Sequence, residues 1–169
     1  KYSILIITSN TWYKRDDQLY DVIKSIRNNK IIFNIISLNH TEEISKIEKI
    51  KNVKVWYSVS DFDKNYILSK SNFLIYNSDF EGFGLPILES LKYSSVVFCK
   101  EKDHFKQIYK KGIIYYNSNN INLINDKINM IIKNKKMFEL YKKKSQKTYS
   151  DVKLKFDKNL NEIIKEKIN

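Results

Sequence analysis

The chain has 169 residues, a formal net charge of +12 and a hydrophobic content of 42%. This length predicts one domain with a core of its own, and the lack of any apolar run of about 18 residues excludes a membrane-spanning helix. A single cysteine, Cys99, excludes an intramolecular disulfide and suits a reducing compartment. The chain begins at Lys1 without an initiator Met or a signal peptide, so we expect a cytoplasmic domain cut from a longer protein.

The sequence of the first half predicts four strands in chain order, at 2–8, 31–38, 53–57 and 73–76. It predicts a helix between each pair of successive strands, at 16–27, 41–50 and 64–69. Thr41 is the expected N-cap of the second helix, and Asp61 is expected to cap the third. These strands are continuous apolar runs and do not alternate with polar residues. Such runs are typical of strands buried on both faces of a parallel sheet.

The second half predicts a helix at 86–92, a strand at 95–99, a helix at 105–109, a strand at 113–116 and three further helices at 121–133, 136–148 and 152–168. Alternating strands and helices indicate an α/β fold, a Rossmann-like parallel sheet of about six strands with helices on both faces. Ligands of such sheets bind at the carboxyl ends of the strands.

The positive charge has three interpretations. Because the lysines accompany many Asn and Ile residues and fall on the polar sides of the C-terminal helices, a solvated surface is the first. A peripheral contact with an anionic membrane, at its inner face, is the second. Nucleic acid is not expected as a partner, since no zinc-ligand spacing, RNA-binding aromatic motif or basic heptad region is present.

The window from Asp79 to Ser90 holds two of the three glycines, the only proline and two glutamates eight positions apart. Gly82 and Gly84 allow a left-handed backbone or a close approach of a ligand, and proline suits the first turn of a helix. A glycine loop that leads into a helix N-terminus is suited to bind an anion.

Glu81 and Glu89 could form the carboxylate pair of a hydrolase. That interpretation leaves the glycines and the helix start between them unexplained. A site for a phosphorylated sugar explains all three features, because glutamates accept hydrogen bonds from hydroxyls while loop amides and the helix dipole bind the phosphate charge.

The segment Glu81-Gly-Phe-Gly-Leu-Pro-Ile-Leu-Glu89 resembles a signature of the retaining GT-B glycosyltransferases, in particular family 4, glycosyl transferases group 1. The resemblance covers nearly the whole chain, as the C-terminal, donor-binding half of such an enzyme. It implies that Glu81 is the catalytic residue beside the transferred sugar and that Glu89 binds the ribose of the nucleotide. It also implies that backbone amides bind the diphosphate and sugar, those of Gly82, Phe83, Gly84 and Leu85.

The resemblance implies a diphosphate-binding cation after the first strand as well. Lys14 fits this position, with Arg15 as the alternative register. The sequence departs from the family elsewhere: a second cation of the family falls at Ser9 or Asn10, the usual Gly after the signature helix is Ser94, and the usual Glu of a later helix is Gln107.

The implied domain organisation is a nucleotide-sugar-binding domain at 1–169, whose N-terminal acceptor domain is absent and whose final helix, 151–169, crosses to that domain. The resemblance implies no cofactor and no metal. Asp61 and Asp63 resemble a metal-binding pair, but acids are favoured at a helix start, and we interpret them as capping residues. His40 and His104 have no partners at ligand spacing.

The resemblance therefore predicts a hexosyltransferase that moves a sugar from a nucleotide-diphosphate sugar to a glycan or lipid-linked acceptor, in surface polysaccharide synthesis, with this fragment alone inactive. Three alternatives stay open at this point: a GT-B nucleotide-sugar epimerase, a basic binding module without enzymatic activity, and a degenerate transferase that keeps only the fold.

Overall fold

A computed structural model of the chain describes residues 1–9, 11, 14–110, 112–117 and 121–168, with the helical backbone alone for residues 160–168. Six strands form one sheet. They are β1 (Tyr2–Thr8), β2 (Ile31–Ser37), β3 (Val53–Tyr57), β4 (Phe73–Tyr76), β5 (Val96–Lys100) and β6 (Ile114–Tyr116). All the pairings between neighbouring strands are parallel. The predicted six strands are confirmed.

Helices connect these strands and continue after the last of them. They are α1 (Asp16–Ser25), α2 (Glu42–Glu48), α3 (Asp61–Lys70), α4 (Leu85–Lys92), α5 (Asp103–Tyr109), α6 (Asn122–Lys133) and α7 (Lys135–Ile168). The predicted α/β class with a Rossmann-like parallel sheet is therefore confirmed.

The strand order across the sheet is β3-β2-β1-β4-β5-β6. The first half of the chain extends the sheet in one direction from β1, and the second half extends it in the other direction from β4. This is the arrangement of a dinucleotide-binding Rossmann fold, in which β1 and its neighbour occupy the centre. At this centre, Ile4 of β1 pairs with Phe33 of β2 and with Phe73 of β4.

The core consists of two apolar clusters, one on each face of the sheet. Successive side chains of a strand point to opposite faces, so Ile4 and Ile6 of β1 belong to one cluster and Leu5 to the other. Helices α1, α2 and α6 cover the first face, while α3, α4 and α5 cover the second. Burial on both faces explains the apolar runs of inner strands such as β4 and β5, whose residues are all buried, whereas the edge strand β3 has no buried residue and carries Lys54.

Two helix starts test the predicted capping residues. Thr41 caps α2 as expected, since its Oγ1 accepts a hydrogen bond from the N–H of Ile44 at 3.2 Å. The prediction that Asp61 caps the next helix is wrong: Ser60 is the N-cap, and its Oγ accepts from the N–H of Asp63 at 3.1 Å. A hydroxyl one residue earlier satisfies that donor, so Asp61 becomes the first helical residue.

The C-terminal region differs from the expectation in one respect. Two separate helices were predicted at 136–148 and 152–168, but α7 is one helix of 34 residues. No glycine or proline interrupts it, and Ser150, which could have capped a new helix, instead donates its hydroxyl to the carbonyl of Gln146 at 3.1 Å. The helix begins against one face of the sheet, with Phe138, and reaches the other face with Val152.

Candidate functional site

The candidate site lies where β1 and β4 end side by side. The direction in which strands are added to the sheet reverses between these two strands, and ligands of open parallel sheets bind at such a switch point. The connection after β1 leads through Lys14 and Arg15 into α1, and the connection after β4 leads through residues 77–84 into α4. The topology therefore brings both sequence-predicted segments to one edge of the sheet.

Gly84 determines how α4 begins. It has φ 70° and ψ 57°, a left-handed conformation at the N-cap position, and a Cβ there would lie 3.0 Å from the ring of Phe105. Glycine satisfies both requirements, and Pro86 follows within the first turn. No side chain caps this end of α4, which leaves its positive dipole end available to an anion.

Helix α5 fixes the backbone of the glycine loop. The hydroxyl of Tyr109 donates to the carbonyl of Phe83 at 2.7 Å and lies 3.3 Å from that of Gly84. Because the carbonyl and the following N–H of a trans peptide point in opposite directions, the amides of Gly84 and Leu85 point away from Tyr109. The loop thus has a fixed arrangement in which two of the four predicted amides face away from the core.

Lys14 contacts Glu81 directly. Its Nζ lies 2.6 Å from Oε1 of Glu81, with the two side chains 10% and 24% exposed. Nζ also lies 5.0 Å from the ring centre of Tyr76, whose hydroxyl has its pKa raised by burial and by the Glu81 carboxylate. The predicted cation and the predicted catalytic glutamate are therefore neighbours, at the end of β4.

Arg15, the alternative cation, points elsewhere. Its Nη1 lies 2.8 Å from Oδ2 of Asp79, and its Nε and Nη2 lie 3.0 and 2.8 Å from the two carboxylate oxygens of Asp17. Its backbone is left-handed, with φ 54°. Two carboxylates thus hold the guanidinium of Arg15, whereas Lys14 reaches the glycine loop.

Asp79 is the centre of a charge cluster that the sequence analysis did not identify. Arg15 contacts Oδ2 of this carboxylate, and two lysines contact Oδ1: the Nζ atoms of Lys100 and Lys102 lie 2.5 and 3.2 Å from it. Burial favours the neutral acid, but hydrogen bonds from the three cations outweigh it and lower the pKa of Asp79 to about 2. One sequence signal was present: a lysine, Lys100, ends an otherwise apolar strand.

Glu89 also has a partner that sequence reasoning missed. It lies in the second turn of α4, and its Oε1 is 2.9 Å from Nζ of Lys64 on α3. The hydrogen bond to Glu89 is the main cause of a raised pKa of Lys64. Glu81 and Glu89 both lie in the segment formed by the glycine loop and α4, but Glu81 forms an ion pair with Lys14 and Glu89 with Lys64. Whether Glu89 binds a ribose stays a prediction.

The four positions that depart from the family pattern, Ser9, Asn10, Ser94 and Gln107, lie in different parts of the structure. Ser9 Oγ lies 3.2 Å from the hydroxyl of Thr11, while Asn10 lies outside the described residues. Ser94 takes the left-handed conformation that a glycine would favour, with φ 63°. Gln107 lies on α5, one of the helices that border a groove beside the glycine loop.

This groove has a volume of about 770 Å³ and lies between α5 and α7. Its lining combines aromatic rings with positive charge: Phe83, Phe156, Lys110, Lys144, Lys147 and Lys155. The ring centres of Phe83 and Phe156 are 6.2 Å apart, so the groove reaches the underside of the glycine loop.

The described residues contain no group of three or more His, Cys, Asp or Glu side chains that could hold a metal ion. Asp61 and Asp63 lie in the first turn of α3, where Asp63 accepts a hydrogen bond from the Ser60 hydroxyl. Cys99 is fully buried in β5, and burial raises the pKa of its thiol. No helix in the described part of the chain is long and apolar enough to cross a membrane.

Comparisons with solved structures show the same fold in other proteins. The C-terminal domain of the glycosyl transferase group 1 protein LpcC from Francisella tularensis matches 92% of this chain and 86% of its own, with 20% identity and a TM-score of 0.72. HepE from Anabaena, solved with UDP-glucose, matches 98% of this chain with 12% identity and a TM-score of 0.78. A variant of TarM from S. aureus, solved with fondaparinux, α-GlcNAc-glycerol and UDP, matches 95% with 18% identity and the same score.

The chain spans 49% of the HepE chain and 35% of the TarM chain. Its match to LpcC is to a structure of the C-terminal domain alone. The region of similarity is thus about one half or less of the longer proteins. A search of curated proteins finds no match.

A protein-family model assigns the sequence independently of these structures. The model described as "Glycosyl transferases group 1" matches residues 1–150, which include both central strands, the glycine loop and α4. The chain therefore belongs to the glycosyl transferases group 1 family and has the fold of a GT-B C-terminal domain.

Proposed function

We propose that this chain is the donor-binding half of an enzyme that transfers a sugar from a nucleotide-diphosphate sugar. One observation carries the proposal: Lys14 and Glu81 lie 2.6 Å apart beside the uncapped N-terminus of α4. A cation and helix N–H groups suit a diphosphate, and a glutamate beside them suits the hydroxyls of a sugar. The solved complexes of HepE with UDP-glucose and with UDP and glucose support the same ligand class.

Each site residue has a role in this proposal. Lys14 and the amides of the loop bind the diphosphate, and the loop comprises Gly82, Phe83, Gly84 and Leu85. Glu81 accepts hydrogen bonds from the transferred sugar, and Glu89 accepts them from the ribose. Arg15 makes no direct contact with the diphosphate in this proposal, since two carboxylates already bind its guanidinium, and it contributes only its positive charge to the electrostatic potential at the site.

The proposed reaction retains the anomeric configuration. The bond between the anomeric carbon and the diphosphate oxygen breaks, and the acceptor oxygen forms its bond on the same face of the sugar. The proton of the acceptor hydroxyl passes to the departing diphosphate, so the protein provides no nucleophile. Lys14 and the end of α4 stabilise the negative charge that develops on the leaving group. We propose that no metal is required.

The acceptor site belongs to a second domain in this proposal. The matched length of HepE and TarM supports this, because each has a chain at least twice as long as the matched region. We propose that the N-terminal domain of the same protein binds the acceptor, a glycan or a lipid-linked glycan in surface polysaccharide synthesis. Residues 151–169 then cross to that domain.

We also propose that the enzyme works in the cytoplasm and makes a peripheral contact with an anionic membrane. The basic groove between α5 and α7 supports this contact, since it combines four lysines with exposed aromatic surface. Co-sedimentation with vesicles measures it: vesicles that contain phosphatidylglycerol should pellet the protein in low salt, and neutral phosphatidylcholine vesicles should not. Equal pelleting with both, or with neither, contradicts the contact.

Titration calorimetry tests the proposed donor site. UDP-glucose, GDP-mannose and ADP-glucose are titrated into the wild-type chain, and the sugar nucleotide that binds is then titrated into Glu81→Gln. We expect binding of at least one of the three, weakened in the variant for the sugar nucleotide but not for the matching nucleoside diphosphate. No binding of any ligand by the folded wild type would favour a degenerate or non-enzymatic domain.

A further inference from the structure

Lys64 contacts one oxygen of the Glu89 carboxylate, the group that we propose binds the ribose. Its Nζ lies 2.9 Å from Oε1 of Glu89 and 3.3 Å from Oδ1 of Asp61. Asp61 is 93% exposed, whereas the side chains of Lys64 and Glu89 are 26% and 33% exposed. Because water screens an exposed pair strongly, the contact with Glu89 is the stronger of the two.

The contact crosses between two elements. Lys64 lies in the first turns of α3 and Glu89 in the second turn of α4, 25 residues later. A second bond joins α3 to the C-terminal end of α4, since the hydroxyl of its C-cap residue, Tyr93, donates to Oδ1 of Asn65 at 3.3 Å. The position of Nζ relative to α4 is therefore set by packed helices and not by an isolated flexible side chain.

The pairing leaves Glu89 able to accept from a ligand. The ion pair uses Oε1, and the described residues provide no hydrogen-bond donor for Oε2. A glutamate loses considerable side-chain entropy when it is fixed in one rotamer. A partner that fixes it before the ligand arrives removes that cost from binding.

We propose that Lys64 is a positioning residue for nucleotide recognition: it holds the Glu89 carboxylate in one orientation, so that Oε2 accepts the ribose hydroxyls. The inference rests on the proposed function of Glu89. It assigns to Lys64 no contact with the phosphates. Its consequence is specific, since loss of Lys64 weakens only the part of the affinity that depends on the ribose hydroxyls.

Calorimetry with matched nucleotides tests this assignment. UDP, GDP and ADP are each titrated into the 169-residue chain, and the tightest binder is compared with its 2′,3′-dideoxy analogue and with inorganic diphosphate. The variant is Lys64→Met, which keeps the apolar stem. The matched control is Lys70→Met, on the same helix but over the ring of Tyr66. Thermal unfolding of each variant verifies that it is folded.

We expect Lys64→Met to lower the affinity for the nucleoside diphosphate by about fivefold or more, with no change for the dideoxy analogue or for inorganic diphosphate. Lys70→Met should bind all three as the wild type does, and Lys64→Arg should recover most of the loss. In Glu89→Gln, removal of the Lys64 charge should have little further effect on the ribose-dependent part.

Three results overturn the inference. Equal losses for all three ligands make Lys64 a phosphate contact, and unchanged binding by Lys64→Met makes the ion pair irrelevant to the nucleotide. If the wild type binds the nucleoside diphosphate and its dideoxy analogue equally, Glu89 does not recognise the ribose and Lys64 has nothing to position. In each of these cases nucleotide binding survives. If the wild type binds no nucleotide at all, the proposed function fails, and the inference fails with it.

Discussion

Lys14 and Glu81 hold each other at 2.6 Å with most of both side chains buried. The same site therefore presents a positive charge and a hydrogen-bond acceptor at fixed positions. A nucleoside diphosphate linked to a sugar has the complementary pattern, with negative oxygens beside hydroxyl groups. Arg15, one residue later, is bound by Asp17 and Asp79 instead. Lys14 therefore lies at the glycine loop, where a ligand would bind, whereas the guanidinium of Arg15 is bound by two carboxylates.

Replacement of Lys14 tests this difference. We expect Lys14→Met to weaken binding of the nucleoside diphosphate by about tenfold or more, because a charged hydrogen bond to the phosphate is lost. Arg15→Met should have a smaller effect. Lys24→Met, on the helix α1 that follows Lys14 and Arg15 and over the ring of Tyr20, is the control and should bind as the wild type does. A larger loss for Arg15→Met than for Lys14→Met would reverse the assignment.

Asp79 predicts a pH dependence of stability. Its pKa of about 2 in the folded state lies below the value of about 3.9 in an unfolded chain. The carboxylate therefore stabilises the fold above pH ~4, by about 2 kcal/mol, and this contribution is lost as the pH falls toward 2. Asp79→Asn should be less stable than the wild type at pH 7. In urea unfolding, that difference should shrink between pH 4 and pH 2; a constant difference contradicts the prediction.

The residues of the site differ in how far the sequence predicts them. Glu81, Gly84 and Glu89 lie within one short window, so their spacing alone indicates a shared site. Lys64 and Lys100 come from other elements, and only the packing of those elements brings them to their carboxylates. A pattern along the chain can mark an unusual residue, such as a lysine that ends an apolar strand, but it does not identify the distant carboxylate that the residue pairs with.

At the scale of elements, α4 ends in a way that the sequence does not favour. The N–H of Ser95 donates to the carbonyl of Ser90, and that of Ser94 donates to the carbonyl of Leu91. This pair of bonds forms a Schellman motif, whose left-handed residue is usually glycine. Here Ser94 takes that conformation with φ 63°. A side chain is thus held where its Cβ is unfavourable.

Ser94→Gly should therefore stabilise the protein. Release of the left-handed strain outweighs the greater freedom of glycine in the unfolded chain, and we expect a gain of about 0.5–1 kcal/mol. Ser69→Gly is the control, since Ser69 lies inside α3 and glycine there should destabilise the helix. Thermal and urea unfolding measure both changes. Equal effects in both variants would mean that the conformation of Ser94 is not strained.

Helix α7 packs closely on the turn before β6. A Cβ on Gly112 would lie 1.7 Å from Oγ1 and 2.4 Å from Cβ of Thr148. Gly112→Ala should therefore cost about 1–3 kcal/mol of unfolding free energy, and Thr148→Ala in the same chain should recover part of it. Gly82→Ala is the control, because nothing lies within 4 Å of its Cβ position. Equal stability of the two alanine variants in urea contradicts this packing.

The elements were largely predictable, and their exceptions have physical reasons. Continuous apolar runs identified the inner strands, such as β1 and β4, because both faces of the sheet are buried there. The expected break between 148 and 152 is absent, because no glycine or proline there interrupts the backbone hydrogen bonds and α7 runs on to Ile168.

At the scale of the whole molecule, the strand order explains why the site has its location. Two half-sheets meet at β1 and β4, and the connections after these neighbouring strands lead to α1 and α4 on opposite faces of the sheet, which leaves a crevice between them. The sequence predicted the parallel sheet but not this order, since order depends on which strands pair across long chain distances. The family model and the solved relatives agree with the fold that results.

This chain alone should bind its donor without transferring sugar. The acceptor and the closing face of the cleft belong to the second domain in our proposal, and the chain spans about half of HepE. Incubation of the chain with a bound sugar nucleotide and a panel of glycan and lipid-linked acceptors should yield no product above buffer. Robust transfer by these 169 residues would contradict the two-domain account.

The central claim is that the glycine loop and the start of α4 bind a diphosphate. NMR of the 15N-labelled chain tests it most directly, through the amide signals of Gly82, Phe83, Gly84 and Leu85 during titration with UDP, GDP and ADP. We predict that these amides shift, and exchange more slowly with solvent, with one of the nucleotides, while amides of α6 stay unchanged. Saturable binding that leaves all four amides unaffected would contradict the account.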